Sequence, residues 1–144
     1  MAKRRKFAAI DRALVKRRAR GRCEYCQSPE DFESDTFELE HIIPLVRNGS
    51  NELDNIAFSC SGCNNRKGIK IGSLDPVTLL SMPLFNPRQD EWQDHFQWSD
   101  NALQLIGLSP VGRATIDGLD LNRTGCMNLR RALIAIQEHP PTRF

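Results

Sequence analysis

The chain has 144 residues, 40% of them apolar and ten aromatic, enough for one domain, or one small domain with an extension, around a modest core. Its net charge of +2 hides an asymmetry: residues 1–22 carry ten basic residues against the single acid Asp11, and the rest carry ten basic and seventeen acidic. No apolar run approaches the length of a membrane span or the hydrophobic stretch of a secretion signal. The expectation is a cytoplasmic protein without a membrane partner, in a compartment that keeps its cysteines reduced.

In chain order, residues 1–22 form a basic arm and helix. Residues 8–20 have helical periodicity, with Ile10, Leu14 and Arg18 at four-residue spacing, Ala9, Ala13 and Val15 widening the apolar side, and Gly21 as a stop. Such charge density points to a polyanionic partner, most simply nucleic acid, with Arg12, Lys16, Arg17 and Arg20 on the outward faces. A Cys23-x-x-Cys26 knuckle follows, then an acidic, turn-rich loop over residues 28–36. Phe37 to Ile43 alternates as a strand, with Phe37, Leu39 and His41 on one face and Glu38, Glu40 and Ile42 on the other. Residues 47–51 have turn chemistry, Asn55 to Ser59 reads as a second strand, and Asn64 to Lys70 as a short polar helix.

From residue 73 the pattern changes. Asp75-Pro76, Met82-Pro83 and Asn86-Pro87 break the chain into turns. Residues 95–98 and 103–108 alternate as a hairpin, and helices are expected over Gly112 to Leu121 and Met127 to Ile136. Trp92, Phe96 and Trp98 suit the core of this extension better than base stacking. His95 and His139 read as structural, and Cys126 as a small buried residue.

The second knuckle, Cys60-x-x-Cys63, completes a set of four cysteines. Two Cys-x-x-Cys turns supply the tetrahedral sulfur ligands of a structural zinc ion. The 33 residues between Cys26 and Cys60 exceed the spacing of a plain zinc ribbon, so the knuckles should clamp the ends of an inserted functional unit.

The ordered string Cys23-x-x-Cys26, Glu40-His41-Ile42-Ile43-Pro44-Leu45, Gly49-Ser50-Asn51-Glu52-Leu53-Asp54-Asn55, Cys60-x-x-Cys63-Asn64-x-x-Lys67-Gly68 resembles the HNH endonuclease family over residues 23–68. The resemblance implies an α+β protein: a ββα-metal (His-Me finger) core over 23–72, stapled by the four-cysteine zinc site, with a small C-terminal α/β extension over 73–144. It implies that His41 is the general base, that Glu40 and Asn64 hold one catalytic divalent cation, and that Asn55 orients the base by bridging the loop between the strands. Asn64 stands where many relatives have His, which leaves the preferred metal open. The implied reaction is hydrolysis of phosphodiester bonds, leaving 5′-phosphate and 3′-hydroxyl ends.

Elementary chemistry agrees with those roles. An imidazole can accept a proton from water near neutral pH. Hard oxygen donors such as a carboxylate and an amide suit Mg²⁺ or Mn²⁺. Lys67 is expected to face phosphate, with Arg66 less clearly placed. DNA is the expected partner. An RNA nuclease and a non-catalytic zinc-stapled nucleic-acid-binding module are the alternatives, and the oligomeric state stays open.

Overall fold

The computed structural model describes residues 3–142 and divides into two compact units. The first runs to Ile71 and includes the strap Asn86–Arg88; the second comprises Gly72–Phe85 and the chain from Gln89 onward. Among the described residues, no helix is long and apolar enough to cross a membrane.

The first unit opens with helix α1, Ala9–Arg18, whose first turn is closed by Asp11 Oδ2 accepting from the Ala8 N–H at 3.2 Å. Only Val15 of this helix is buried. The expected apolar face is not covered: Ile10 is 78% and Leu14 48% exposed. The helix is held by polar contacts instead, with Arg12 donating to the Phe37 carbonyl at 2.8 Å and Arg18 to the carbonyls of Leu53 and Ile56.

Strands β1, Glu38–His41, and β2, Ile56–Ser59, pair antiparallel, with Glu38 opposite Ser59 and His41 opposite Ile56. Helix α2 spans Ser61–Lys67, three residues earlier than its polar composition suggests. The reason is sulfur capping: Cys60 Sγ accepts from the Cys63 N–H at 3.4 Å, so the second knuckle is itself the first turn of the helix. Gly68, at φ 52°, ends it. Tyr25, Phe37, Leu39, Ile42, Ile56 and Phe58 fill the interior, and the rings of Phe37 and Phe58 meet at 5.2 Å. The strap adds an ion pair between Arg88 and the buried Glu24, which also accepts from the Phe58 N–H at 2.9 Å.

The second unit contains hairpin β3, Gly72–Leu74, with β4, Ser81–Pro83; a short α3, Trp92–His95; hairpin β5, Phe96–Trp98, with β6, Leu105–Gly107; and helices α4, Pro110–Leu119, and α5, Thr124–Ala135. The β5–β6 hairpin and both long helices fall close to their sequence-derived positions. The β3–β4 hairpin, read from sequence as turns, and α3 are additions. Phe85, Trp92 and Phe96 are buried together, with Phe96 5.2 Å from Phe85 and 5.5 Å from Trp92. Trp98 lies edge-on to His139 at 4.4 Å, so these aromatics pack with one another. His139 is fixed by the Ala102 carbonyl at 2.7 Å and His95 by Ser109 Oγ at 2.6 Å. Arg130, 2% exposed, ties α5 down by donating to the carbonyls of Leu103 and Leu121 at 3.0 and 2.7 Å.

Asp75 is the charged anchor of this unit. Its fully buried carboxylate takes both arms of the Arg113 guanidinium at 2.9 Å, and Thr78 Oγ1 donates to it at 2.7 Å. The guanidinium above all, against the cost of burial, holds this carboxyl well below the usual carboxylate range. The folded value therefore lies below the unfolded one. The stabilisation is complete above the unfolded carboxylate pKa of about 4 and is lost as pH falls toward the folded value. Asp75→Asn should lower the urea midpoint near neutral pH, and its difference from the parent should shrink on titration below about pH 4.

Candidate metal centre and nuclease site

The first knuckle is a tight turn in which Gln27 N–H donates to the Cys23 carbonyl and Cys23 N–H to the Ser28 carbonyl, both at 2.9 Å. Gln27 takes the left-handed conformation this turn demands, at φ 67°. Cys60 and Cys63 arrive from the capped start of α2. All four thiols are buried, none is in a disulfide, and their sulfurs lie within 4.8 Å of one another. Cys26 Sγ and Cys60 Sγ are 3.7 Å apart. A tetrahedron with metal–sulfur bonds of about 2.3 Å has edges of about 3.8 Å, so the four residues are positioned to bind a metal ion. Burial, before any other cause, pushes the Cys23 thiol well up, and a bound cation is what would keep such sulfurs as thiolates.

Successive residues on β1 send their side chains to opposite faces. Glu40 points toward α2 and the knuckle: Tyr25 Oη donates to its Oε2 at 2.9 Å, and Lys67 Nζ lies 2.6 Å from its Oε1. Oε1 is thus a buried oxygen whose charge is compensated by the Lys67 ammonium. Burial is the main influence on this carboxyl and raises it, with Lys67 and Tyr25 acting in the opposite direction. Lys67 is itself 1% exposed and also donates to the His41 carbonyl at 3.2 Å. The expectation that Lys67 faces phosphate is therefore corrected: its ammonium is held inside by Glu40.

Asn64, one turn before Lys67 on α2, turns its amide nitrogen to Glu38. Glu38 and Glu40, two apart on β1, thus line the face that meets α2, and sequence reading had used only Glu40. The alternation already placed both there, but only the helix opposite shows that Glu38 has a partner.

His41 lies on the other face, 6% exposed, with Nε2 2.9 Å from Asn51 Oδ1 and the Phe7 ring 6.4 Å away. Asn55 makes no hydrogen bond to the imidazole and spans the loop between the strands: Oδ1 accepts from the Ile43 N–H at 2.9 Å, while Nδ2 donates to the carbonyls of Ile43 and Ser50 at 3.0 and 2.8 Å. Gly49 closes the same loop, where a Cβ would fall 1.7 Å from the Ile43 oxygen. Asn51 and Tyr25 were not foreseen. Asn51 sits in a turn-rich stretch where asparagine is ordinary, and no spacing rule points to Tyr25.

Of the basic residues read as a nucleic-acid surface, Arg12 serves the Phe37 carbonyl, and Lys16 pairs with Glu30 at 2.7 Å and Asp31 at 3.4 Å. Arg17 and Arg20 have exposed side chains without an ion-pair partner among the described residues.

Residues 23–70 match the family model described as HNH endonuclease, and this segment is an HNH endonuclease domain. The matched segment contains the β1–β2–α2 unit, His41 on its first strand and the four clustered cysteines. A curated relative, Septu protein PtuB of Bacillus thuringiensis, is 31% identical over 119 residues, covering 78% of this chain. The match spans 41% of the PtuB chain, less than half its length.

Two outcomes test this geometry. Cys60→Ser, which removes a sulfur ligand while its hydroxyl can still cap α2, should lower bound zinc from one equivalent to none by elemental analysis of the purified protein. Lys67→Met leaves Glu40 buried and unpaired, and should cost about 3–5 kcal/mol in urea unfolding.

Proposed function

We propose that this protein is a metal-dependent endonuclease that hydrolyses phosphodiester bonds in DNA, with His41 as general base and a structural zinc ion in the four-cysteine site. The observation that carries the reading is the division of β1 into two faces. His41 stands on one face beside a loop locked by Asn55, and the oxygen donors stand on the other.

The donor set fits a hard divalent cation, Mg²⁺ or Mn²⁺. Glu40 offers a buried carboxylate whose Oε1 faces the Lys67 ammonium at 2.6 Å, and Asn64, having given its nitrogen to Glu38, keeps an amide oxygen with no hydrogen bond among the described residues. These two residues would hold the ion, with the Glu38 carboxylate beside them. When bound, the ion supplies charge stabilisation for the phosphate and the leaving 3′ oxygen. His41 takes a proton from water. Lys67 limits the charge that accumulates at Glu40, and Tyr25 fixes the other carboxylate oxygen. Arg17 and Arg20 hold backbone phosphates and read no sequence.

The test is cleavage of supercoiled plasmid by the zinc-loaded protein with EDTA, Mg²⁺ or Mn²⁺, alongside His41→Ala and a parallel RNA substrate. Cleavage should need the cation and fall at least about a hundredfold in the variant, the low end of what a general base contributes. Undiminished cleavage by His41→Ala would remove the proposed mechanism. Cleavage of RNA alone would reassign the substrate.

A further inference from the structure

We infer that Asn51 is a positioning residue that sets which nitrogen of His41 carries the proton, and that the backbone of the N-terminal arm holds Asn51 in the orientation this requires. The effect on rate rests on the nuclease reading above; the assignment of the tautomer does not.

The argument uses donor and acceptor identity alone. Asn51 Nδ2 lies 2.8 Å from the Lys3 carbonyl oxygen, which can only accept, so the amide atom there is the nitrogen. The other end of the amide lies 3.2 Å from the Arg5 backbone N–H, which can only donate, so that atom is the oxygen. Two independent contacts thus fix the same orientation of an amide whose ends are otherwise hard to tell apart. That oxygen is 2.9 Å from His41 Nε2. An amide oxygen cannot donate, so Nε2 must carry the hydrogen; the opposite tautomer would set two lone pairs against each other. A neutral imidazole has one N–H, which leaves Nδ1 as the basic nitrogen. Among the described residues nothing hydrogen-bonds to Nδ1.

The arm is anchored well enough to do this. Arg5 donates from its guanidinium to the Asn51 carbonyl at 3.3 Å and pairs with Asp11 at 3.0 Å. The same guanidinium lies 4.8 Å over the Phe7 ring, and that ring stands beside the imidazole. Asn55 holds the other side of Asn51 by binding the Ser50 carbonyl. Two asparagines therefore divide the work: Asn55 fixes the loop backbone, and Asn51 fixes the ring.

The experiment is long-range ¹H–¹⁵N NMR of the full-length, metal-loaded protein labelled at histidine, at a pH where the ring is neutral. The parent should show a protonated Nε2 and a bare Nδ1 at His41. Asn51→Asp keeps an acceptor oxygen and should preserve that signature. Asn51→Ala should give an averaged mixture of tautomers and lower plasmid cleavage about 10–100-fold, at unchanged metal content. Arg5→Pro leaves Asn51 itself intact but removes both the N–H that holds its oxygen and the guanidinium contacts of the arm, and should loosen the tautomer in the same direction. A bare Nε2 in the parent, or a pure Nε2–H form in Asn51→Ala, would overturn the inference. The expected spectra combined with full cleavage by His41→Ala would uphold the tautomer and overturn its role in catalysis.

Discussion

Four sulfurs within 4.8 Å of one another are the constraint on which the first unit depends. Its regular structure is slight: two strands of four residues and a helix of seven. A two-stranded sheet is marginal in water, and a helix this short does not persist alone. The knuckles join the chain before β1 to the joint between β2 and α2, so a metal bound there closes the whole hairpin in one step. Structural tetrathiolate sites supply free energy on the order of 10 kcal/mol or more, which exceeds what so small a core can spare.

The cysteine cluster also sets the register of the site. Cys60 is a metal ligand candidate and the N-cap of α2 at once, so wherever the sulfurs go, the helix start follows. That start puts Asn64 and Lys67, one turn apart, against Glu38 and Glu40, two apart on β1. The helical and strand periods meet at this one face. His41, a single residue further on, is carried to the opposite face, where the loop and the N-terminal arm define its surroundings. A slip of one residue in β1 would exchange the carboxylates with the imidazole, which is why the Asn55 clamp and the Gly49 contact matter beyond local order.

The features legible from sequence are those where residue type and spacing express a single physical demand. The four cysteines, the alternation over β1, the Asn-Gly-Ser turn and the β5–β6 hairpin belong to this class. Others failed for identifiable reasons. The start of α2 was hidden because sulfur is not among the usual capping atoms and Gly62 lowers its helical preference. Hairpin β3–β4 has three-residue strands, too short for periodicity to show, and ends in Pro83. Ile10 and Leu14 have helical spacing yet stay exposed, because α1 docks through arginines and Val15. At the site, Asn51 was invisible because its importance comes from the backbone of a segment 46 and 48 residues away.

The same docking changes the meaning of the N-terminal charge. Counted in the sequence, the arm is a block of cations awaiting a polyanion. In the fold, much of that charge serves main-chain carbonyls. Arg4 and Arg12 donate to the carbonyls of Leu39 in β1 and Phe37 just before it, and Arg18 to those of Leu53 and of Ile56 at the start of β2. A two-stranded sheet has two open edges, and an unpaired carbonyl at an edge needs either water or a donor. A guanidinium, with several donors in a fixed fork, can meet that need and still present charge outward. The arm is thus first a third side to a small sheet, through its arginines, and a support for His41, through its backbone. Its remaining cations, Arg17 and Arg20 among them, face outward from an element whose position is already fixed. A phosphate bound there would therefore meet a surface tied to His41 by a continuous set of hydrogen bonds, rather than a loose tail.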